Sequence, residues 1–460
     1  MARCCDEHSR ADLLRRAAAE AGRGLPSIEP GMPLPAGTGL SRRSFLTRSG
    51  GLALAVYGAA NVRLPYFEEG IEAAAAATPA GAPILVSVFL EGGADSLSLL
   101  FPAGDPLYRR LRPKLALAGG IPFAEDDRLR WHPSLAPLAT LHAEGKVSVL
   151  PAVGYTDPDQ SHFTSRHFWE VGATNASLRT GWLGRYLDRV GTGDNPLQGL
   201  SLSGRLLPAL ATARVPVAAI DGPGNYAFGI HRVWGEVEQQ MLAAVAELGK
   251  VGSGGDPALA AAADVTLQAS RLREQLLPFA GSDDKPAYTS PVAYPKSEED
   301  FPKQLAGLAA MIAVGLPLRC VALEAPGMYD THSDQPTALS DALAITASSL
   351  LAFQRDLEAR GLADRVLVHV WSEFGRRAKE NGSNGTDHGA AGAGFLIGSR
   401  VRGTMIGEFP GLARLDSDGN LLATSDFRAV YSGILDQWFG ADADAVIPGA
   451  RSFAIPKLLK

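Results

Sequence analysis

The sequence predicts an α/β protein with a mainly parallel sheet and helices on both faces. Three observations lead there. Short apolar runs of strand length recur along the chain, helix-length segments separate them, and loops rich in carboxylates and histidines follow their carboxyl ends.

The elements follow in order. Ile84-Leu-Val-Ser-Val-Phe-Leu90 is a continuous apolar strand closed by Glu91-Gly-Gly-Ala-Asp95. A helix is expected over residues 134–144, then a second strand, Val147-Ser-Val-Leu-Pro-Ala-Val153. After the turn-rich Tyr155-Thr-Asp-Pro-Asp-Gln160, residues 161–170 read as a helix capped by Asp159 or Ser161, and 181–188 continue helical. Residues 229–279 are mostly helical and rich in alanine and leucine, with a break at 252–257. Residues 281–302 are polar, carry several prolines and read as an exposed connection. A helix over 301–313 feeds the strand Cys320-Val-Ala-Leu323, and one over 337–360 feeds Val366-Leu-Val-His-Val370. No internal repeat is visible.

The front of the chain has a different character. Ser41-Arg-Arg-Ser-Phe-Leu-Thr47 is a twin-arginine export motif, followed by a mildly apolar, glycine- and alanine-rich run over residues 50–60. Ala75-Ala-Ala77 supplies small residues for cleavage before Thr78. Residues 1–77 are therefore expected to be a signal peptide with a long n-region, and 78–460 a single α/β domain with a helical insertion at about 229–300. The expected partner of the leader is the twin-arginine export machinery, and the expected destination is periplasmic or extracellular. The apolar run is too short and glycine-rich for a spanning helix; an uncleaved signal kept as an anchor is the alternative.

Composition narrows the function. The chain is 46% hydrophobic and 20% charged with a net charge of −6, and no run of lysine or arginine suggests a nucleic-acid groove. An anionic small-molecule ester remains compatible. Of three cysteines, Cys4 and Cys5 fall in the leader and Cys320 lies on an apolar strand, so the mature chain has no disulfide framework. Cys320 reads as core rather than nucleophile.

Candidate site residues gather after the strands. Asp95 follows Gly92-Gly93, where a backbone can approach a ligand closely and a carboxylate can bind a metal or cap the next helix. Ser161 falls at a helix N-terminus, where backbone donors help activate a hydroxyl, or where the serine simply caps. Asp330, His332 and Asp334 lie within five residues of one another, so a bridging cation or water is expected between them, with an Asx-turn as the plainer alternative. Glu373 ends a strand beside Arg376 and Arg377, either as a ligand with an arginine facing an anion or as a loop-fixing ion pair. Asp387-His388-Gly389 closes a loop containing Asn381, Gly382, Asn384 and Gly385, flexible enough to bring His388 over the site. His132, His142, His167, His231 and His369 lack neighbouring carboxylates and read as structural or surface residues, with His369 a satisfied core histidine.

The motifs Glu91-Gly-Gly-Ala-Asp95, Ser161-His-Phe163, Gly181-Trp-Leu-Gly-Arg185, Asp330-Thr-His332, Ser372-Glu-Phe-Gly-Arg376 and Gly385-Thr-Asp-His-Gly389 resemble, in this order, the exported bacterial family called domain of unknown function 1501. That family is similar in fold to the alkaline phosphatase and sulfatase superfamily. The resemblance implies an alkaline-phosphatase-like domain whose metal-ligand positions fall on Asp95, Asp330 with Asp334, Glu373 with Phe374, and His388, and whose hydroxyl nucleophile falls on Ser161. Adding His332 and Asp387 gives the full candidate metal set, with Arg376 steadying the anion. Asp334 and Glu373-Phe374 depart from the superfamily pattern, which has imidazoles there. A carboxylate-richer site of that kind favours Mg²⁺, Mn²⁺ or Ca²⁺, or a single metal, over paired Zn²⁺. Two functions follow: a metal-dependent hydrolase of phosphate or sulfate esters, or a non-catalytic binding or assembly protein that keeps the fold.

Overall fold

The computed structural model describes residues 81–226, 233, 235–250, 257–281 and 287–460. The export motif, the cleavage site, Cys4, Cys5 and His231 lie outside the described residues.

Eight strands form the central sheet: β1 (Ile84–Phe89), β2 (Val147–Gly154), β3 (Gly199–Leu202), β4 (Ala218–Ile220), β5 (Cys320–Glu324), β6 (Val366–Trp371), β9 (Gly392–Ile397) and β10 (Ser425–Asp426). A separate antiparallel hairpin, β7 (Arg376–Glu380) and β8 (Thr386–His388), lies between β6 and β9 in sequence. The sheet order is β10-β2-β9-β6-β1-β5-β3-β4. Every pairing is parallel except those of β9, which runs antiparallel to β2 and β6. The expected α/β architecture is present, with one strand reversed. β3, β4 and β9 were not expected, because runs such as Gly-Ala-Gly-Phe-Leu-Ile carry too few branched residues to read as strands.

The main helices are α1 (Ala136–Ala143), α2 (His162–Val171), α3 (Trp182–Val190), α4 (Gly235–Lys250), α5 (Pro257–Leu276), α6 (Phe301–Ala313), α7 (Gln335–Ala359) and α8 (Phe427–Gly433). Side-chain alternation along β1 sorts the core into two layers. Ile84, Val86 and Val88 face Leu305, Leu308 and Ile312 of α6 and the α7 stripe Leu339, Leu343, Ala347, Leu350 and Phe353. Leu85 and Phe89 face Trp182 and Tyr186 of α3 and Phe427 and Tyr431 of α8. Each such buried side chain contributes roughly 1.5–3 kcal/mol. α7 is long and apolar enough to cross a membrane by length and composition, yet half of that window is buried inside this fold.

Cys320 is buried and free, and burial pushes its thiol far above the ordinary range, which agrees with a core role. His132 accepts the Ser134 N–H and caps the turn that leads into α1, and the His142 Nδ1 meets the Val147 carbonyl while its Nε2 meets Glu125. His167 Nε2 reaches the Asn175 carbonyl.

His369 is 3% exposed in the middle of β6, but its Nδ1 makes no hydrogen bond with any described residue, so it is not a fully satisfied core histidine. Burial pulls its pKa down to about 3. Below the ordinary value of 6.5 the unfolded chain therefore binds a proton that the folded chain refuses, and stability falls as pH drops from 6.5 towards 3. Between pH 6.5 and 5 the expected loss from this residue is about 2 kcal/mol. Urea unfolding at the two pH values should show a smaller difference for His369→Gln than for the unsubstituted chain.

Candidate metal centre

The carboxyl ends of β6, β1 and β5 form the floor of the site, the usual location of chemistry in open α/β sheets. The turn after β1 brings Gly92 over the β5 loop. Its φ is 121°, and a Cβ there would lie 2.3 Å from the Asp330 nitrogen, so only glycine fits. The Gly92 and Gly93 N–H groups, freed by this turn, both donate to the Glu373 carboxylate at 3.0 Å. The Ser372 hydroxyl donates to it at 3.1 Å.

Glu373 is 1% exposed and also accepts from the His162 Nδ1 at 2.8 Å. That contact turns the opposite ring nitrogen, His162 Nε2, towards Asp330, whose Oδ2 lies 3.5 Å away. Two further imidazoles are set in the same way. His388 Nδ1 donates to the Gln160 carbonyl at 2.8 Å, and His332 Nδ1 lies 3.3 Å from the Asp387 carboxylate. Their Nε2 atoms lie 3.4 Å and 3.1 Å from Asp330 Oδ1, and 2.9 Å from each other.

Three histidines thus hold Nδ1 on an outer acceptor and aim Nε2 at one carboxylate. These acceptors favour the Nδ1–H tautomers, which would turn the Nε2 lone pairs inward; His332 Nε2 also lies 3.3 Å from the Arg376 guanidinium, which balances part of the Asp330 charge. Lone pairs facing a carboxylate at these distances repel unless a proton or a cation lies among them. His162 Nε2 is buried and has no hydrogen-bond partner among the described residues. One ligand atom each from His162, Asp330 and His388 all lie within 4.8 Å of one another.

The electrostatics agree. Burial opposes a charged His162, but the neighbouring carboxylates of Asp330 and Glu373 outweigh it and raise its pKa to about 9. Burial lowers His388, helped by the positive His162 and Arg376. Burial also works against the Asp330 charge, yet the three histidines and the Arg376 guanidinium around it hold it far below the carboxylate range. The donor set of imidazoles with one carboxylate suits Zn²⁺ or another transition metal, whereas Mg²⁺ and Ca²⁺ prefer oxygen alone.

The structure distributes the sequence-derived candidates unevenly. Asp330, His332 and His388 come together. Glu373 and Asp387 orient His162 and His332 from outside; the 52% exposed Asp387 side chain is also held by Asn381 Nδ2 at 3.2 Å. Asp95 is not gathered with them: it is fully buried in a two-point pair with Arg112 and also accepts from Ser98 and Gln335. Asp334 is exposed in left-handed backbone, φ 49°, at the start of α7, and is likewise apart. Ser161 precedes His162, is half-buried, and its hydroxyl does not cap α2; its N–H donates to Asp159 at 2.7 Å. The Arg376 side chain is 0% exposed, donating to the Gly92, Gly93, Thr386 and Tyr329 carbonyls and to Asp330, so it clamps the loops rather than facing a ligand. With Asp95, Asp334, Glu373 and Asp387 outside the centre, it carries more imidazole than its sequence motifs suggest.

His162 was missed as a site residue because its motif, Ser161-His-Phe163, drew attention to the hydroxyl. Phe374 is buried with its ring 4.9 Å from both His162 and His388, forming an apolar wall. The asparagine-glycine loop is tied down: Asn381 Nδ2 donates to the His332 carbonyl at 2.9 Å and Thr386 N to the Thr331 carbonyl at 3.0 Å. A Cβ on Gly385 would lie 2.3 Å from the His332 carbonyl carbon, so this glycine permits close approach of two loops.

Because Glu373 sets the His162 ring, Glu373→Gln should weaken metal binding about 10- to 100-fold, the range for outer partners of ligating histidines. Competition with a chelator measures this directly.

Fold and site together define an α/β protein with a histidine-rich candidate metal centre at its strand ends. The chain belongs to the family described as protein of unknown function (DUF1501), whose model matches residues 82–447, the family its motifs resemble. A comparison with curated proteins found no match. Among solved structures, the lipoteichoic acid synthase LtaP from Listeria monocytogenes is similar over 85% of this chain and 78% of its own, at 9% identity and a TM-score of 0.32. The PsFucS1 sulfatase from Pseudoalteromonas sp. is similar over 87% of this chain and 72% of its own, at 11% identity and a TM-score of 0.33. At these TM-scores the architecture rests on the sheet itself.

Proposed function

We propose that this chain is an exported, metal-dependent hydrolase of phosphate or sulfate esters. The observation that supports it most is the convergence of three imidazole Nε2 atoms on Asp330, each ring held by an acceptor behind it. His162, Asp330 and His388 would hold the ion, with His332 beside them. A bound Zn²⁺-like ion supplies polarisation of an ester oxygen and a more acidic water. The chain's own residues do the rest: Glu373 and the Gln160 carbonyl fix the ligand rings, Phe374 keeps one wall apolar, and Asp387 orients His332. Ser161, next to His162 at the N-terminus of α2, is the candidate nucleophile, in a region where backbone N–H groups favour an anion. Export is supported by the twin-arginine motif and small-residue site ahead of Thr78.

The second reading is a binding or assembly protein that keeps a cation without turnover. It is favoured by the commitment of Arg376 to backbone carbonyls, which removes the expected anion clamp. Assays of p-nitrophenyl phosphate and p-nitrophenyl sulfate with protein loaded with Zn²⁺ or Mn²⁺ separate the two. Turnover that Ser161→Ala and His388→Ala both abolish supports the hydrolase. Metal-loaded protein that turns over neither ester moves the assignment to the binding protein.

A further inference from the structure

Behind the centre, on the other side of the β1 turn, lies a second polar cluster. Arg166 is on α2 one turn after His162 and is 5% exposed. Its Nε meets Glu170 at 2.7 Å, one terminal nitrogen meets Glu91, and the other meets Glu324 at 2.9 Å. Its guanidinium also lies 4.4 Å from the centre of the Phe89 ring. Arg205 reaches the same Glu324 oxygen at 2.5 Å.

These contacts join the pieces of chain that carry the centre. Glu91 immediately precedes Gly92 and Gly93, whose N–H groups hold Glu373. Glu324 ends β5, and the loop after it carries Asp330. α2 carries His162. A closed circuit results: His162 to Glu373, Glu373 to the Gly92 and Gly93 amides, Glu91 to Arg166, and along one turn of α2 back to His162. Other contacts also seat α2: Trp169 stacks on Trp371 with ring centres 5.5 Å apart, and the Ser165 hydroxyl donates to the Glu373 carbonyl. Among the described residues, Arg166 spans from the helix to both Glu91 and Glu324.

We infer that Arg166 is a positioning residue for the metal centre, setting the height and rotation of His162 relative to Asp330. The inference rests on the metal-site reading above and adds a residue that touches none of the ligands. A planar fork is required for the task. Lysine keeps the charge but presents a single ammonium, which cannot hold three carboxylates in fixed directions.

The test uses full-length protein and four readouts: Zn²⁺ affinity by chelator competition, the visible spectrum of the Co²⁺-loaded form, far-ultraviolet circular dichroism and urea unfolding. Arg166→Lys is compared with Arg360→Lys, which loosens a half-buried ion pair with Asp356 away from the centre. Arg166→Lys is expected to weaken Zn²⁺ binding about 10- to 100-fold and to change the Co²⁺ spectrum, with the folded signal kept, whereas Arg360→Lys leaves both metal readouts unchanged. Should Arg166→Lys fail to fold, Glu324→Gln, which removes only one of the three carboxylates, is expected to shift affinity and spectrum in the same direction by less. Unchanged affinity and spectrum in the folded Arg166 variant, or in Glu324→Gln where that variant is used, overturn the inference alone. A wild-type chain that takes up no metal overturns the centre and this inference with it.

Discussion

Asp95→Ala destabilises the chain by about 3–5 kcal/mol without removing a metal ligand. The magnitude follows from what is left behind. Arg112 is fully buried, and its charge is balanced by Asp95 at both terminal nitrogens. Burial opposes both charges, yet their attraction and hydrogen bonds hold Asp95 below and Arg112 above their ordinary pKa values. Removing one partner strands the other in a low-dielectric interior. The pair also supports the site from a distance. Gln335 donates to Asp95 at 2.6 Å, and its carbonyl oxygen accepts from Thr331 at 3.0 Å and Thr386 at 2.7 Å, on the two loops that carry Asp330 and His388. Urea unfolding measures the loss. The double variant Asp95→Leu/Arg112→Met should lose less than the sum of the single changes, because no unpaired charge remains. Metal content per folded chain should stay near the wild-type value, whereas a ligand role for Asp95 would lower it.

His162→Ala has a different signature: loss of stoichiometric metal, with a stability loss that shrinks as pH rises from 6.5 towards 9, where the ring no longer carries its charge. The imidazole is 28% exposed, and its Nε2 has no hydrogen-bond partner among the described residues. Glu373 keeps the Gly92, Gly93 and Ser372 donors after the ring is gone, so no buried carboxylate is left unsatisfied. Asp330→Asn is a less clean probe, because it also weakens the partner of the fully buried Arg376. Elemental analysis beside a urea titration separates metal loss from unfolding. Metal retained in His162→Ala would place the ligands elsewhere.

The strands that carry the site were legible because burial on both faces leaves a nearly unbroken apolar run, as in Ile84–Phe89 and Val366–Trp371. The strands β3 and β9 were not, since glycine and short length hide them. The site was half legible for a related reason. Loop sequence shows which titratable groups lie near strand ends, but not which ones are neutralised before they reach a ligand. Asp95 and Asp330 both follow strands, and only the position of Arg112, seventeen residues along, commits Asp95 to structure. Arg376 looked free beside Glu373, yet backbone carbonyls of three loops consume its donors. His162 is not legible as a site residue in the sequence because its carboxylate partners lie 168 and 211 positions away.

X-ray absorption at the metal edge of Zn²⁺-loaded protein reads the ligands of an imidazole-rich centre built on Asp330. Such a centre gives nearest neighbours of nitrogen and oxygen with outer scattering from at least two imidazole rings, lost in His162→Ala/His388→Ala. A shell of oxygen alone, or a folded chain that takes up no Zn²⁺, would contradict it.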